Sequence, residues 1–255
     1  MLMQGAQHIF KNYFSIDVDS SSNPADAVQI KGNYLYIGEG WGGIKIYDIS
    51  DIDNPVNWSY DGYIYLSGDS DSIEITNDEQ YMIVANGGTG ISLVNIADKT
   101  NPFQIGQWNN DKPKGSAENV LLNSMENLVF GSIRNYGLVI LDISDKSQAP
   151  VEIGEYYTGM CEFVTLSSNE KQQIGGFPTK MKMIQYGELE YLLVNTRDKE
   201  LLNAINITDV YNPSLFGKYD PGYEQAFDLA YTEDQKYLYM LTDEGLRVLQ
   251  VKIYD

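Results

Sequence analysis

The sequence predicts an all-β fold of five antiparallel four-stranded units, and three observations carry that prediction. One phrase recurs: Gly43-Ile-Lys-Ile-Tyr-Asp-Ile-Ser, Gly90-Ile-Ser-Leu-Val-Asn-Ile-Ala and Gly137-Leu-Val-Ile-Leu-Asp-Ile-Ser, with first glycines 47 residues apart and a proline-containing turn after each copy. A second apolar run precedes every copy across a short, mostly polar loop, which is the pattern of a hairpin. The composition is 43% apolar and 12% aromatic, with 20 Tyr among 255 residues, too apolar for a disordered chain and rich in strand formers. An apolar helical period is nowhere sustained for about ten residues, so helical solenoids fail.

Taken in order, each unit starts with a short strand: Val28-Gln-Ile, Ile73-Glu-Ile, Val120-Leu-Leu and Leu229-Ala-Tyr, with turn formers such as Lys31-Gly-Asn and Thr76-Asn-Asp behind it. The second strand follows as Tyr34-Leu-Tyr-Ile, Tyr81-Met-Ile-Val, Leu128-Val-Phe, Tyr191-Leu-Leu-Val or Tyr237-Leu-Tyr-Met. The recurring phrase is the third strand, with looser copies at 201–213 and 245–255. The fourth comes after the proline turn, as in Gln104-Ile-Gly-Gln-Trp, Glu152-Ile-Gly-Glu-Tyr-Tyr and Leu215-Phe-Gly-Lys-Tyr. Proline confined to that turn fits its lack of a ladder donor. Four strands per unit is the count of a β-propeller blade.

The last unit stops after its third strand, while the N-terminus contains the strand-like run His8-Ile-Phe-Lys-Asn-Tyr-Phe-Ser-Ile. The expected fold is therefore a five-bladed β-propeller of four-stranded blades, closed by an N-terminal strand in the last blade, which removes an exposed edge. The chain reads as one domain over 1–255, with a closing arm at 1–24 and an insertion at 160–177 between blades three and four. Two registers are open for blade four: its inner strand is either Cys161-Glu-Phe-Val-Thr-Leu or Lys180-Met-Lys-Met-Ile.

The repeated phrase, best seen at Gly137-Leu-Val-Ile-Leu-Asp-Ile-Ser with Ala149-Pro150 and at Gly43-Ile-Lys-Ile-Tyr-Asp-Ile-Ser with Asn54-Pro55, resembles the LVIVD repeat from Ala25 onward. The resemblance implies a bacterial or archaeal surface or secreted propeller without an assigned reaction. The strand-ending Asp is Asn at Asn95 and Asn206 and Gln at Gln250, which argues for a turn cap at that position and against a ligand set.

Charge excludes several functions. With 36 acidic against 17 basic side chains and a net charge of -19, the chain repels phosphate backbones, so no nucleic-acid partner is expected. No apolar run reaches the roughly 20 residues of a membrane span. The N-terminus lacks a signal-peptide pattern, so the expectation is a cytoplasmic chain or a signal outside this sequence, against the extracellular or cell-surface setting that the resemblance implies. Cys161 is the single cysteine and His8, in the N-terminal arm, the single histidine, which removes intrachain disulfides and multi-histidine metal sites and argues against a histidine triad. The segment Asp17–Asn23 has oxygen ligands at alternate positions, as a calcium loop does, but lacks the glycine and the twelfth-position acid of an EF-hand. No cofactor is expected.

An acidic residue opens the inner strand of nearly every unit: Asp26, Asp71, Glu118 and Asp228, and also Glu162 in the first register of blade four. In a propeller these positions ring one mouth of the axial channel. Second strands end at the same mouth, because consecutive strands are antiparallel, which adds Trp41, Arg134, Tyr136, Arg197, Asp198, Asp243 and Glu244. Trp41, in a glycine-flanked loop, is the best single surface contact; Trp58, Trp108 and most Tyr read as packing between blades. Acids repeated in every blade read first as turn caps at blade junctions and second as a binding ring for a cation, a sugar or a protein. The expected function is a non-catalytic, monomeric scaffold binding protein or carbohydrate; the alternative is a glycoside hydrolase-like enzyme using channel-mouth carboxylates.

Overall fold

The computed structural model describes residues 25–54, 57–109, 115–157, 162–165, 171–174, 178–196, 202–219 and 226–251. Among them the strands form five antiparallel sheets of three or four strands and one separate hairpin, with no α-helix. Blade one is β1 (Ala27–Lys31), β2 (Tyr34–Gly38), β3 (Ile44–Asp48) and β4 (Ser59–Ile64). Blade two is β5 (Ser72–Ile75), β6 (Tyr81–Ala85), β7 (Gly90–Asn95) and β8 (Phe103–Asn109). Blade three is β9 (Ser116–Leu122), β10 (Leu128–Arg134), β11 (Gly137–Asp142) and β12 (Val151–Tyr157). The hairpin of β13 (Glu162–Thr165) and β14 (Lys171–Ile174) falls within the expected insertion. Blade four is β15 (Pro178–Tyr186), β16 (Leu189–Thr196), β17 (Leu202–Asn206) and β18 (Ser214–Tyr219). Blade five has β19 (Ala226–Tyr231), β20 (Tyr237–Thr242) and β21 (Gly245–Gln250). The structure thus selects the second register for blade four, with Lys180 on its inner strand and Glu162 in the hairpin. The closing arm lies outside the described residues, as do Cys161, His8 and the Asp17–Asn23 segment.

The blades stack face to face through apolar clusters. Tyr36, Ile44 and Ile46 of blade one meet Ile73, Ile75 and Met82 of blade two, and similar clusters join blades two to three, three to four and four to five. Middle strands are therefore buried on both faces: every residue of β7 from Gly90 to Val94 is buried, as is every residue of β11 from Gly137 to Leu141. Their apolar runs lack the period-two alternation of a half-solvated sheet for this reason. Full burial of one such side chain contributes roughly 1.5–3 kcal/mol, more than a turn hydrogen bond at about 1 kcal/mol, so packing between blades dominates the stability. Of the tryptophans expected to pack between blades, Trp108 does so, buried in the cluster of blades two and three and donating to Glu152 Oε2 at 2.9 Å, whereas half-buried Trp58 packs within blade one, against Leu35, Ile37 and Ile49, and donates to the Asp51 carbonyl at 3.0 Å.

Two devices repeat between strands. At the end of the third strand, Asp48, Asn95, Asp142 and Asn206 each accept a backbone N–H two residues on, at 2.7–3.0 Å, from Ser50, Ala97, Ser144 and Thr208. Asp and Asn are interchangeable there because either side chain supplies the acceptor oxygen. At the turn between first and second strands, one residue takes a left-handed conformation in every blade: Gly32, Glu79, Glu126, Gly187 and Gln235, with φ between 54° and 62°. Glu126 and Gln235 use that geometry to reach back one blade, accepting the N–H of Asn77 at 2.7 Å and of Gln185 at 2.9 Å.

Candidate functional site

The inner strands bring residues of all five blades to one axial cavity of about 320 Å3, lined among others by Asp26, Asp71, Glu74, Lys180, Lys182 and Asp228. Its mouth is built by bridges between blades. Gly40, in the loop after β2, pairs with Ser70, just before β5, and Gly87 pairs in the same way with Ala117 of β9. The first bridge sets the loop that carries Trp41 against Asp69-Ser70-Asp71. Trp41 is 60% exposed there.

Asp26, Asp69 and Asp71 converge, with one carboxylate oxygen from each lying within 4.8 Å of the others, a donor set of the kind that could hold a cation. Burial, then the charges of Glu118, Asp69 and Asp26, push the Asp71 carboxyl up to about 8, against a smaller opposing effect of Arg134. Asp69 is raised as well, by burial and then by Asp26. Deeper in the cavity, burial pushes Glu74 up to about 7, with Lys182 and Lys31 acting in the opposite direction.

Glu118 forms an ion pair with Arg134 at the blade-three rim, and its charge still acts on Asp71. Tyr136 donates its hydroxyl to Glu155 Oε2 at 2.6 Å and meets Tyr157 edge-on at 5.3 Å between ring centroids. Asp228 lines the cavity and accepts the N–H of Leu229 at 2.8 Å. Glu244, in the turn before β21, lies 3.8 Å from Arg247. Arg197 and Asp198 lie outside the described residues.

The expectation of equivalent acids in every blade is corrected in two places. Blade four presents Lys180 and Lys182 to the cavity, and blade two contributes a second acid, Asp69. Sequence reasoning missed Asp69 because it looked for one acid at each strand start; the pair of acids in Asp69-Ser70-Asp71 was the available signal.

Comparison with known proteins follows the fold. No curated protein matches the sequence. The solved periplasmic gluconolactonase of Pseudomonas aeruginosa superposes with a TM-score of 0.69 at 12% identity, over 92% of this chain and 70% of that one. A putative 6-phosphogluconolactonase from Bacteroides uniformis gives 0.66 at 11%, over 88% and 66%. A chain of the COPII outer coat vertex on membranes gives 0.63 at 11%, over 90% and 59%. The chain is thus shorter than the proteins it superposes on, and at these identities the likeness is one of fold. The LVIVD repeat matches residues 22–59 and 114–158, which hold strands of blades one and three and the two best copies of the recurring phrase. With that phrase forming third strands of its sheets, the chain is a β-propeller that carries LVIVD repeats in blades one and three.

Proposed function

We propose that this propeller is a non-catalytic binding module that presents the mouth of its axial channel to a protein or glycan partner outside the cell. One observation carries the reading: the Gly40–Ser70 bridge sets the loop of the exposed Trp41 against the segment Asp69–Asp71, whose two carboxylates converge with that of Asp26. An aromatic face rimmed by acceptors suits a sugar ring, through stacking and hydroxyl hydrogen bonds, and also suits a basic protein surface that needs an anchor. The asymmetry of the mouth supports recognition, since a purely structural ring has no use for a lysine-bearing blade opposite an acid-rich one. Screening on a glycan array and against basic proteins tests the idea. Trp41→Ala should weaken whatever binds by about tenfold or more without moving the melting temperature. An unchanged affinity would refute the assignment.

A second reading is favoured by one observation, the Asp71 carboxyl raised to about 8 beside other carboxyls. A carboxyl held protonated by its surroundings is the kind of acid that acid–base hydrolysis uses. The acid cluster is tighter than the roughly 6.5–9.5 Å separation that leaves room for water in an inverting glycosidase and near the roughly 5–5.5 Å of a retaining one, so glycosides are assayed beside lactones, whose opening is the reaction named for two of the structural neighbours. Hydrolysis of gluconolactone above the spontaneous rate, lost in Asp71→Asn, would establish it; no acceleration by the unmodified chain would dismiss it.

A further inference from the structure

The axial cavity holds two positive charges that the acids at its mouth do not account for. Lys180 and Lys182 both line it, from the inner strand of blade four. Alternate residues of a strand share a side, and Met181 between them is buried in the apolar cluster that joins blades three and four. The two lysines therefore face the other way, and both are half-buried. Their backbone is fixed at the same point, where the N–H of Lys180 donates to Oδ1 of buried Asn195 at 2.7 Å.

Among the described residues, neither ammonium forms an ion pair or a side-chain hydrogen bond. Lys182 is near enough to Glu74 of blade two for its charge to act on that carboxyl, yet burial prevails and Glu74 is raised to about 7. A carboxylate clasped by the ammonium would be lowered instead. The space between the two walls is thus open, with a base on one side and an acid on the other. Asn119 donates to Ser72 Oγ at 2.9 Å, which ties the walls of blades two and three together.

We propose that this cavity binds a hexuronate, the terminal residue of a glycan, with its carboxylate on Lys180 and Lys182 and its ring hydroxyls on Asp26, Asp71 and Asp228. The proposal deepens the binding reading above, on which it rests, by naming the sugar. Charge selects the class. A neutral sugar would leave both half-buried ammonium groups unpaired. A phosphate would bring a second negative charge among the four acids that line the cavity, Asp26, Asp71, Glu74 and Asp228. A uronate brings one charge for the lysines, and its hydroxyls are donors that carboxylates accept. Size and field fit as well. About 320 Å3 lies at the low end of the roughly 300–1,000 Å3 of small-molecule pockets, which suits a chain end, and the net charge of -19 repels a long polyanion.

Titration calorimetry with sodium glucuronate and with a disaccharide ending in glucuronate tests the proposal. Both should bind, and the methyl ester of glucuronate, glucose and glucose 6-phosphate should each bind at least about tenfold more weakly. Lys180→Gln and Lys182→Gln should each weaken the uronates about tenfold and leave glucose unchanged. Equal affinity for acid and ester, tighter binding of glucose 6-phosphate, or no heat from either uronate would overturn the proposal. If the lysine variants do not fold, the comparison of acid with ester on the unmodified protein still decides. A glycan or protein that binds through Trp41 and is indifferent to both lysine substitutions would remove the uronate and leave the mouth as a binding face. Uronate binding that needs the lysines and is unmoved by Trp41→Ala would keep the cavity site and remove the role of Trp41.

Discussion

At the scale of single residues, the mouth acids set a pH dependence with a definite sign. An unfolded Asp releases its proton near 3.8, whereas folded Asp71 holds it to about 8. Between those values the native state binds more protons than the unfolded chain, so the contribution of Asp71 to stability falls as pH rises through the window. Glu74, raised to about 7, acts in the same direction over a narrower range. Asp71→Asn has no charge to bury, and its melting temperature should fall less between pH 5 and pH 8 than that of the unmodified protein; parallel curves would show that Asp71 is ionised in the fold. Turn acids behave oppositely. Asp48, Asp98 and Asp145 are held below the usual range mainly by hydrogen bonds from Ser50, Thr100 and Ser147, so their stabilisation is present near neutrality and lost as the medium turns acid. The cap position itself can be tested without charge: Asn206→Ala should cost about 0.5–1.5 kcal/mol in denaturant unfolding, and Asn206→Asp should cost little, since it retains the oxygen that accepts from Thr208.

At the scale of elements, the fourth strands are positioned by their glycines. Gly106 and Gly154 have unremarkable backbone angles; what they provide is space, for the backbone of Ala149 or Val210 in the next blade fills the volume a Cβ would take. Gly154→Ala should therefore force β12 away from blade four, at a cost of about 1–3 kcal/mol or more, while Gly217→Ala, where a Cβ would meet nothing within 4 Å, should stay within about 0.5 kcal/mol. Equal losses at the two sites, read from chemical denaturation, would mean that the contact between fourth strand and turn is not what orders the blades. Register shifts recur in the pairing of third and fourth strands, between Ile46 and Tyr47, Leu93 and Val94, Ile140 and Leu141, and Ala204 and Ile205. Each such irregularity bends the outer strand and increases its local twist, which lets it follow the face of the adjoining blade.

At the scale of the whole molecule, a net charge of -19 governs association. Binding of any basic partner should weaken as salt rises from about 0.05 to 0.5 M, because the screening length shrinks across that range. Duplex DNA should show no complex in a gel-shift titration at micromolar protein; a salt-sensitive complex would contradict the electrostatic reading.

The repeat, the four-strand order and the Asp or Asn cap were legible in the residues alone, because each depends on neighbours a few positions away and is written again in successive copies. Gly43, Gly90 and Gly137 announce the period, and the exchange of Asp142 for Asn206 at equivalent turns announces a cap. Other features depend on residues one blade apart, whose meeting no local pattern encodes. Only the tertiary structure chose Lys180 over Cys161 for the inner strand of blade four, joined Asp69 to Asp26 and Asp71, and paired Tyr136 with Glu155. It also put Glu79, Glu126 and Gln235 in left-handed turns that a sequence reader would assign to glycine. For Glu126 and Gln235 the hydrogen bond reaching into the preceding blade compensates the backbone strain, and that bond exists only once the blades have stacked.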